Sequence, residues 1–391
     1  MNDLLTMHTL IVRTMTGLEE QLSKEVTELG ATDVEILKRA VKCRGGMEVM
    51  YRLNYMSRCA LRVMKVIDEF EANDEQELYE GVMQFPWESL LDSSKTLAVH
   101  AVLTKSSITH SHYAALKTKD AIADRFRSLS GTRPSVDLER PDIHIQVHIH
   151  QSRCTLLIDS SGDSLHKRGY RRIQDEAPLN EVLAAGMVLL SGWDGSQTLV
   201  DPMCGSGTIL CEAVMIARNI PPGYNRNFYG FMRWKDYDEE IWERIRKEAD
   251  DKIIPLKAKV YGRDVNQRTL YAASENITAA GLQDEIRLKQ VAFENSSPPD
   301  PEGGMIITNP PYGERIKKAD ILAFYSMIGD VLKKKYTGYT AWLITSDFGG
   351  LHSVSLRASR KITLFNGPLE CRFVRYDMYS GSKKKHKQQN D

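Results

Sequence analysis

Apolar residues follow two rhythms along the chain, and the change between them divides it. His8-Thr9-Leu10-Ile11-Val12 is a strand-like start, and alternation over 96–102 and, strictly, over 143–150 predicts strands, because successive side chains on a strand face opposite ways. Leu18, Leu22 and Val26 recur at helical spacing ahead of Gly30, which predicts a first helix and its stop. Short strands over 34–40 and 43–46, a helix over 47–55 and a strand over 63–68 complete a small α+β unit. The acidic stretch up to Glu80 reads as a solvated helix face. The segment 111–129, with Lys117, Lys119, Arg125 and Arg127, reads as a longer helix.

From residue 177 onward the rhythm becomes strand, loop, helix, repeated. Ala177-Pro178-Leu179-Asn180-Glu181 opens a helix with apolar residues at 183, 187 and 190. Thr198-Leu199-Val200-Asp201 is a buried strand, 202–207 a tight loop, and Thr208 begins a helix. Further strands are expected over 260–264, 286–291, 305–308 and 341–345, with helices over 266–280 and 321–332, the latter capped by Asp320. Strands over 361–365 and 371–378 flank Asn366-Gly367-Pro368, a turn signal that predicts antiparallel pairing. Residues 218–256 interrupt this order as an inserted segment, with Pro221-Pro222-Gly223-Tyr224 and a charged helix over 237–252 that either covers a site or is scaffold.

Composition narrows the picture without identifying it. A chain of 391 residues suggests two or three domains, and 42% hydrophobic with 27% charged residues is ordinary for a globular protein. Lys and Arg number 52 and so do Asp and Glu, so any nucleic-acid contact must use a local patch. No window approaches a membrane-spanning run and Met-Asn-Asp-Leu-Leu-Thr lacks the features of a signal peptide, so a cytoplasmic location without a membrane partner is expected. Six cysteines without a CxxC pair predict reduced, mostly buried thiols and no metal. His144, His148 and His150 share one strand face with Gln146, which reads as a polar sheet face more readily than as a metal or phosphate site. Lys167, Arg168, Tyr170, Arg171 and Arg172 concentrate positive charge around an aromatic ring, either as a solvated linker or as a phosphate-contacting joint. The tail from Gly381, with Lys383, Lys384, Lys385 and Lys387, is expected to be disordered and to add weak, salt-sensitive RNA affinity.

Two loops carry chemistry. Pro202-Met203-Cys204-Gly205-Ser206-Gly207 lies between strand and helix, where glycines allow close backbone approach and a helix N-terminus presents free amides. No Gly-Lys-Ser/Thr follows and Leu210 replaces the third glycine of the dinucleotide fingerprint, so pyrophosphate binding is disfavoured. Asp201 suits a ligand with a cationic amino-acid part, and Asp264 at the end of the next strand suits ribose hydroxyls. In Asn309-Pro310-Pro311-Tyr312 the prolines fix φ and remove two donors, which leaves rigid carbonyl acceptors beside the Asn309 amide and the flat face of Tyr312. An amino group on a planar ring fits this edge. The blander alternative is a Pro-rich surface turn or a proline motif for a partner.

Asp201-Pro-Met-Cys-Gly205-Ser-Gly207-Thr, the string 309–315, the basic segment 164–172 and the entry at 177–181 together resemble the THUMP-domain class I RNA methyltransferases. The similarity is to the bacterial family of 23S ribosomal RNA guanine-N2 methyltransferases and covers nearly the whole chain. Five parallel strands plus a terminal hairpin agree with the α/β, Rossmann-like sheet of S-adenosylmethionine-dependent methyltransferases. The resemblance implies a ferredoxin-like domain over 1–64, a THUMP domain over 65–163, a basic linker over 164–178, a methyltransferase domain over 179–380 and a tail over 381–391. It implies S-adenosylmethionine held by Asp201, Pro202, Cys204, Gly205, Gly207, Thr208, Asp264 and Asn309. Catalysis falls to Asn309, Pro310 and Tyr312, and RNA contact to Lys167, Arg168, Tyr170, Arg171, Arg172 and Arg315. One departure stands out: where the family often has an acidic residue for the cofactor adenine, this chain reads Gln290-Val291-Ala292-Phe293, so the Gln290 amide, Glu294 or a backbone amide must substitute. The implied target is a guanosine N2 amine, in ribosomal RNA before transfer RNA. Adenine-N6 methylation and a non-catalytic RNA-binding assembly factor remain open alternatives.

Overall fold

The computed structural model describes residues 6–173, 179–311 and 318–379. In chain order its elements are β1 (His8–Arg13), α1 (Glu19–Glu28), β2 (Thr32–Leu37), β3 (Ala40–Gly45), α2 (Met47–Met56), β4 (Arg62–Glu71), α3 (Glu75–Gln84), β5 (Thr96–Thr104), α4 (Ser111–Ser130), β6 (Ser135–Val136), β7 (Ile143–His150) and β8 (Arg153–Asp159). There follow α5 (Glu181–Ser191), β9 (Leu199–Asp201), α6 (Thr208–Ala217), α7 (Glu239–Asp250), β10 (Val260–Asp264), α8 (Gln267–Ala279), β11 (Ile286–Gln290), β12 (Gly304–Thr308), α9 (Lys318–Lys335), β13 (Tyr339–Thr345), α10 (Phe348–Ser353), β14 (Arg360–Asn366) and β15 (Leu369–Asp377).

The first half is one continuous sheet ordered β2-β3-β1-β4-β8-β7-β5-β6. Alternation decides its faces. Ile143, Ile145, Val147 and Ile149 are buried in the core with Ala121, Ile122 and Phe126 of α4, while His144 and His148 point the other way and are half-buried. Burial lowers the pKa of both imidazoles, which favours their neutral form. The ten-residue β4 pairs with β1 through residues 62–65 and with β8 through residues 64–71, so a division at 64/65 falls inside a strand that both sub-sheets share. The acidic stretch beyond it turns out to bury Leu78 and Val82 on α3, whose start Asp74 caps by accepting from the Gln76 and Glu77 amides.

The second half is a sheet ordered β11-β10-β9-β12-β13-β15-β14, with β11 to β13 parallel and β15 antiparallel to both of its neighbours. β9 runs between β10 and β12, and from that point the chain winds outward in both directions. A crevice therefore opens at the carboxyl ends of β9 and β12, where ligands of open α/β sheets bind. Asp320 lies within the first turn of α9, two residues after its start, and is therefore a first-turn acid instead of the expected cap.

The inserted segment 218–256 ties the two halves together. Tyr229, Phe231, Trp234 and Trp242 are buried in the core of the first half, and the Tyr51 and Phe231 rings lie 4.4 Å apart. Tyr55 donates to Asp250 at 2.7 Å, the Asp238 amide donates to the Tyr51 hydroxyl at 3.1 Å, and Arg52 pairs with Glu248 at 2.8 Å. This is scaffold. Among the described residues no helix is long and apolar enough to cross a membrane.

Candidate active site

A cavity of about 710 Å³ fills the crevice. Asp201, Pro202, Met203, Cys204, Gly205, Ser206, Thr208 and Ile209 line it from β9, the loop and α6; Asp264, Val265, Asn266 and Thr269 from β10 and α8. Ala292, Phe293 and Glu294 close one side, Asn309 and Pro311 another, and Phe324 and Met327 reach in from α9.

The loop owes its shape to its glycines. Gly205 has φ +53° and no atom within 4 Å of where a Cβ would stand, so a side chain there would be strained. Gly207, φ +82°, is the N-cap of α6, and its Cβ position faces Ala273 and Ile277 of α8 at 3.4 and 3.5 Å. Gly207 is therefore absent from the cavity wall, and its contribution is the turn that starts α6. The Gly205 amide donates to Asp264 Oδ2 at 3.0 Å and the Asn266 amide to Oδ1 at 2.9 Å. Each carboxylate oxygen of Asp264 thus keeps a lone pair for a ligand.

Asp201 is 1% exposed. Its Oδ1 accepts from the Thr308 hydroxyl at 2.7 Å and from the Met203 amide at 3.2 Å. Burial outweighs these bonds and pushes its carboxyl up to about 7. Cys204 is also buried, and desolvation pushes its thiol well above the ordinary value, which suits a wall residue better than a nucleophile.

Just past the end of β12, Asn309 Oδ1 is buried without a hydrogen-bond partner among the described residues. An unsatisfied amide acceptor is unfavourable by about 1–3 kcal/mol unless water, an ion or a ligand supplies the donor, and of the atoms in this position Asn309 Oδ1 is the one whose residue lines the cavity. Pro310 is buried between the two wall residues Asn309 and Pro311. Tyr312 and Arg315 lie outside the described residues. Of the candidates for an adenine contact, Glu294 lines the cavity together with Ala292 and Phe293, whereas the Gln290 amide donates to the Val265 carbonyl at 3.0 Å.

The basic segment meets a different fate from the expected RNA surface. Arg168 is 2% exposed and Tyr170 is 1% exposed. Arg168 donates to the Arg58 and Leu165 carbonyls at 2.7 and 2.9 Å and lies 3.4 Å from Glu212, to which the Tyr170 hydroxyl donates at 2.9 Å. Arg171 donates to Glu181 at 2.7 Å and to the Ser206 and Thr208 hydroxyls at 3.3 and 3.1 Å. All three residues hold α6, and Arg168 and Tyr170 are too deeply buried to meet RNA, while Arg171 is half-buried; charge near an aromatic looks the same in sequence whether it faces water or a buried acid. Lys167 and Arg172 are exposed, with Lys167 paired to Asp163 at 3.0 Å. Phe324 and Met327 escaped sequence reasoning because they look like ordinary core positions of an amphipathic helix. All six cysteines are free and buried, and no group of three metal-ligating side chains occurs among the described residues.

Comparison with known proteins agrees with this architecture. The family described as RMKL-like, methyltransferase domain, matches residues 168–375; a THUMP domain matches 72–159, and an RlmL ferredoxin-like domain matches 9–64. Ribosomal RNA large subunit methyltransferase K/L of Syntrophotalea carbinolica is 40% identical over 376 residues, which is 93% of this chain and 52% of that protein. The chain spans about half the length of such K/L relatives. A Synechocystis protein with RNA methyltransferase in its name, slr0064, is 37% identical over 93% of this chain and 95% of its own length. The crystal structure of SMU.472 complexed with SAH superposes with a TM-score of 0.87 at 29% identity, covering 96% of this chain and 99% of that one. The stretch that holds the crevice, its glycine loop and Asn309 falls within the first of these matches: the chain belongs to the RMKL-like methyltransferase-domain family, behind a ferredoxin-like and a THUMP region.

Proposed function

We propose that this protein transfers a methyl group from S-adenosylmethionine to the exocyclic N2 amine of a guanosine in RNA, with large-subunit ribosomal RNA as the substrate and the cytoplasm as the location. The observation that carries the reading is the buried, unpartnered Asn309 Oδ1 on the wall of the cavity. The cofactor fits the residues present: an acid at each of two strand ends, a glycine loop between them and apolar flanks from Val265 and Phe293. When bound it supplies an electrophilic methyl group on a sulfonium.

Asp201 holds the ammonium end, and Asp264 accepts from the ribose hydroxyls with the lone pairs left by the Gly205 and Asn266 amides. Asn309 Oδ1 and the Pro310 carbonyl accept the two N–H bonds of the target amine. That arrangement draws the nitrogen lone pair out of conjugation with the ring and fixes its direction, so orientation is the main catalytic contribution. Tyr312 supplies an aromatic face for the base, which must be unpaired or flipped to enter. The domain division follows the same reading, with the ferredoxin-like and THUMP regions presenting RNA and the residues from 179 onward carrying the chemistry.

The test is nucleoside mass spectrometry after incubating the protein with labelled S-adenosylmethionine and with ribosomal and transfer RNA from cells that lack it. Labelled N2-methylguanosine in the ribosomal fraction supports the reading. The same label in transfer RNA moves the substrate, labelled N6-methyladenosine moves the target base, and no label alongside measured cofactor binding favours a non-catalytic assembly role.

A further inference from the structure

Arg171 stands in an unusual place for a cation. It lies against the start of α6, where the helix dipole is positive and a second positive charge is unfavourable. Glu181, 4% exposed in the first turn of α5, accepts from its Nε at 2.7 Å and the Leu179 carbonyl from its Nη2 at 3.0 Å, so the guanidinium is locked. Two of the three remaining hydrogens of the fork go to Ser206 Oγ at 3.3 Å and Thr208 Oγ1 at 3.1 Å.

A guanidinium only donates. Both hydroxyls therefore act as acceptors toward Arg171, and each must send its own proton elsewhere. Among the described residues neither proton has a protein acceptor, yet both residues are buried and both line the cavity. Two donors are thus left for whatever occupies that corner, and they are strengthened by the cation behind them.

We propose that Arg171 is a positioning residue that sets Ser206 and Thr208 as paired donors for the carboxylate of the cofactor's amino-acid end. The inference rests on the cofactor reading above and assigns the anionic half of the ligand, as Asp201 takes the cationic half. It also replaces the RNA role that the sequence pattern suggested for Arg171.

Calorimetry on the full chain tests it with S-adenosylhomocysteine and with its decarboxylated analogue, which keeps the amine and the nucleoside. The unaltered protein should prefer the carboxylate-bearing ligand by about tenfold or more, the size expected for charge-assisted hydrogen bonds. Arg171→Gln should lose about tenfold on S-adenosylhomocysteine and little on the analogue, with Arg171→Lys in between. Ser206→Ala combined with Thr208→Val removes the donors themselves and should erase the preference even if Arg171→Gln fails to fold. Equal losses on both ligands mean a merely structural arginine and overturn the proposal. So does unchanged S-adenosylhomocysteine affinity with a raised KM for RNA. If the unaltered protein binds neither ligand, the cofactor reading itself falls, an outcome distinct from the others.

Discussion

Asn309→Ala separates stability from turnover. The Asn309 side chain carries an acceptor that is buried without a donor, and leaving such a group unmatched is unfavourable by about 1–3 kcal/mol. Alanine removes that acceptor along with some ordinary packing of a half-buried side chain. The two effects oppose each other, so the folded state should change by between zero and about 1 kcal/mol in its favour. In a chain of this length that is at most about 2–4 °C in Tm, and upward. S-adenosylhomocysteine affinity should hold, because Asp201, Asp264 and the glycine loop are untouched. Turnover should fall tenfold or more, since removing one preorganised polar partner of a reacting group costs about 10²–10³ in comparable sites. Differential scanning fluorimetry, calorimetry and single-turnover methylation read the three quantities separately. Unchanged turnover would refute the orienting role, and a fall of several degrees in Tm would show that Asn309 is a structural residue satisfied by the fold.

Other perturbations probe the remaining parts. Asp201, held up at about 7 by burial, contributes stability to the ligand-free protein that is fully present below the unfolded aspartate value and is lost as pH rises through about 7. An ammonium-bearing ligand needs the ionised form, so S-adenosylhomocysteine affinity should climb across the same window and level off above it, while Asp201→Asn binds weakly with no such slope in calorimetry. Trp242→Ala removes a 2%-exposed ring packed on Tyr51 and Tyr55, and should cost about 3–5 kcal/mol in urea unfolding and weaken RNA binding by loosening the first half. Gly205→Ala should cost about 1–2 kcal/mol from its left-handed backbone and also weaken cofactor binding, whereas Gly192→Ala, with φ +77° and equally open space at the end of α5, should carry the strain alone. Lys167→Ala and Arg172→Ala should each make the salt dependence of RNA affinity shallower by about one unit in filter binding, while Arg168→Ala strands the buried Glu212 and shows up as a loss of about 3–5 kcal/mol in stability.

Local patterns fixed a good part of this molecule. The turn at Asn366-Gly367 gave the terminal hairpin of β14 and β15, and the strand-loop-helix around Gly205 and Gly207 gave the carboxyl-end crevice, because backbone conformation and period are properties of neighbouring residues. Asp201, Asp264 and Asn309 were legible for the same reason: the first two end strands and the third directly follows one, and parallel strands bring their ends together. What the chain alone could not say is which way a side chain faces when distant segments meet. Arg168, Tyr170 and Arg171 read as an RNA-facing patch until Glu212 and Glu181, on helices later in the chain, proved to be their partners. The inserted segment could equally have been a lid until Trp242 was found against Tyr51 and Tyr55. Phe324 and Met327 became cavity walls only because α9 packs against the turn at Phe293 and shares a core with Ile306 of β12. Charge and hydrophobicity set what a residue can do, but desolvation and pairing depend on contacts between residues far apart in sequence, and the tertiary structure alone supplies those.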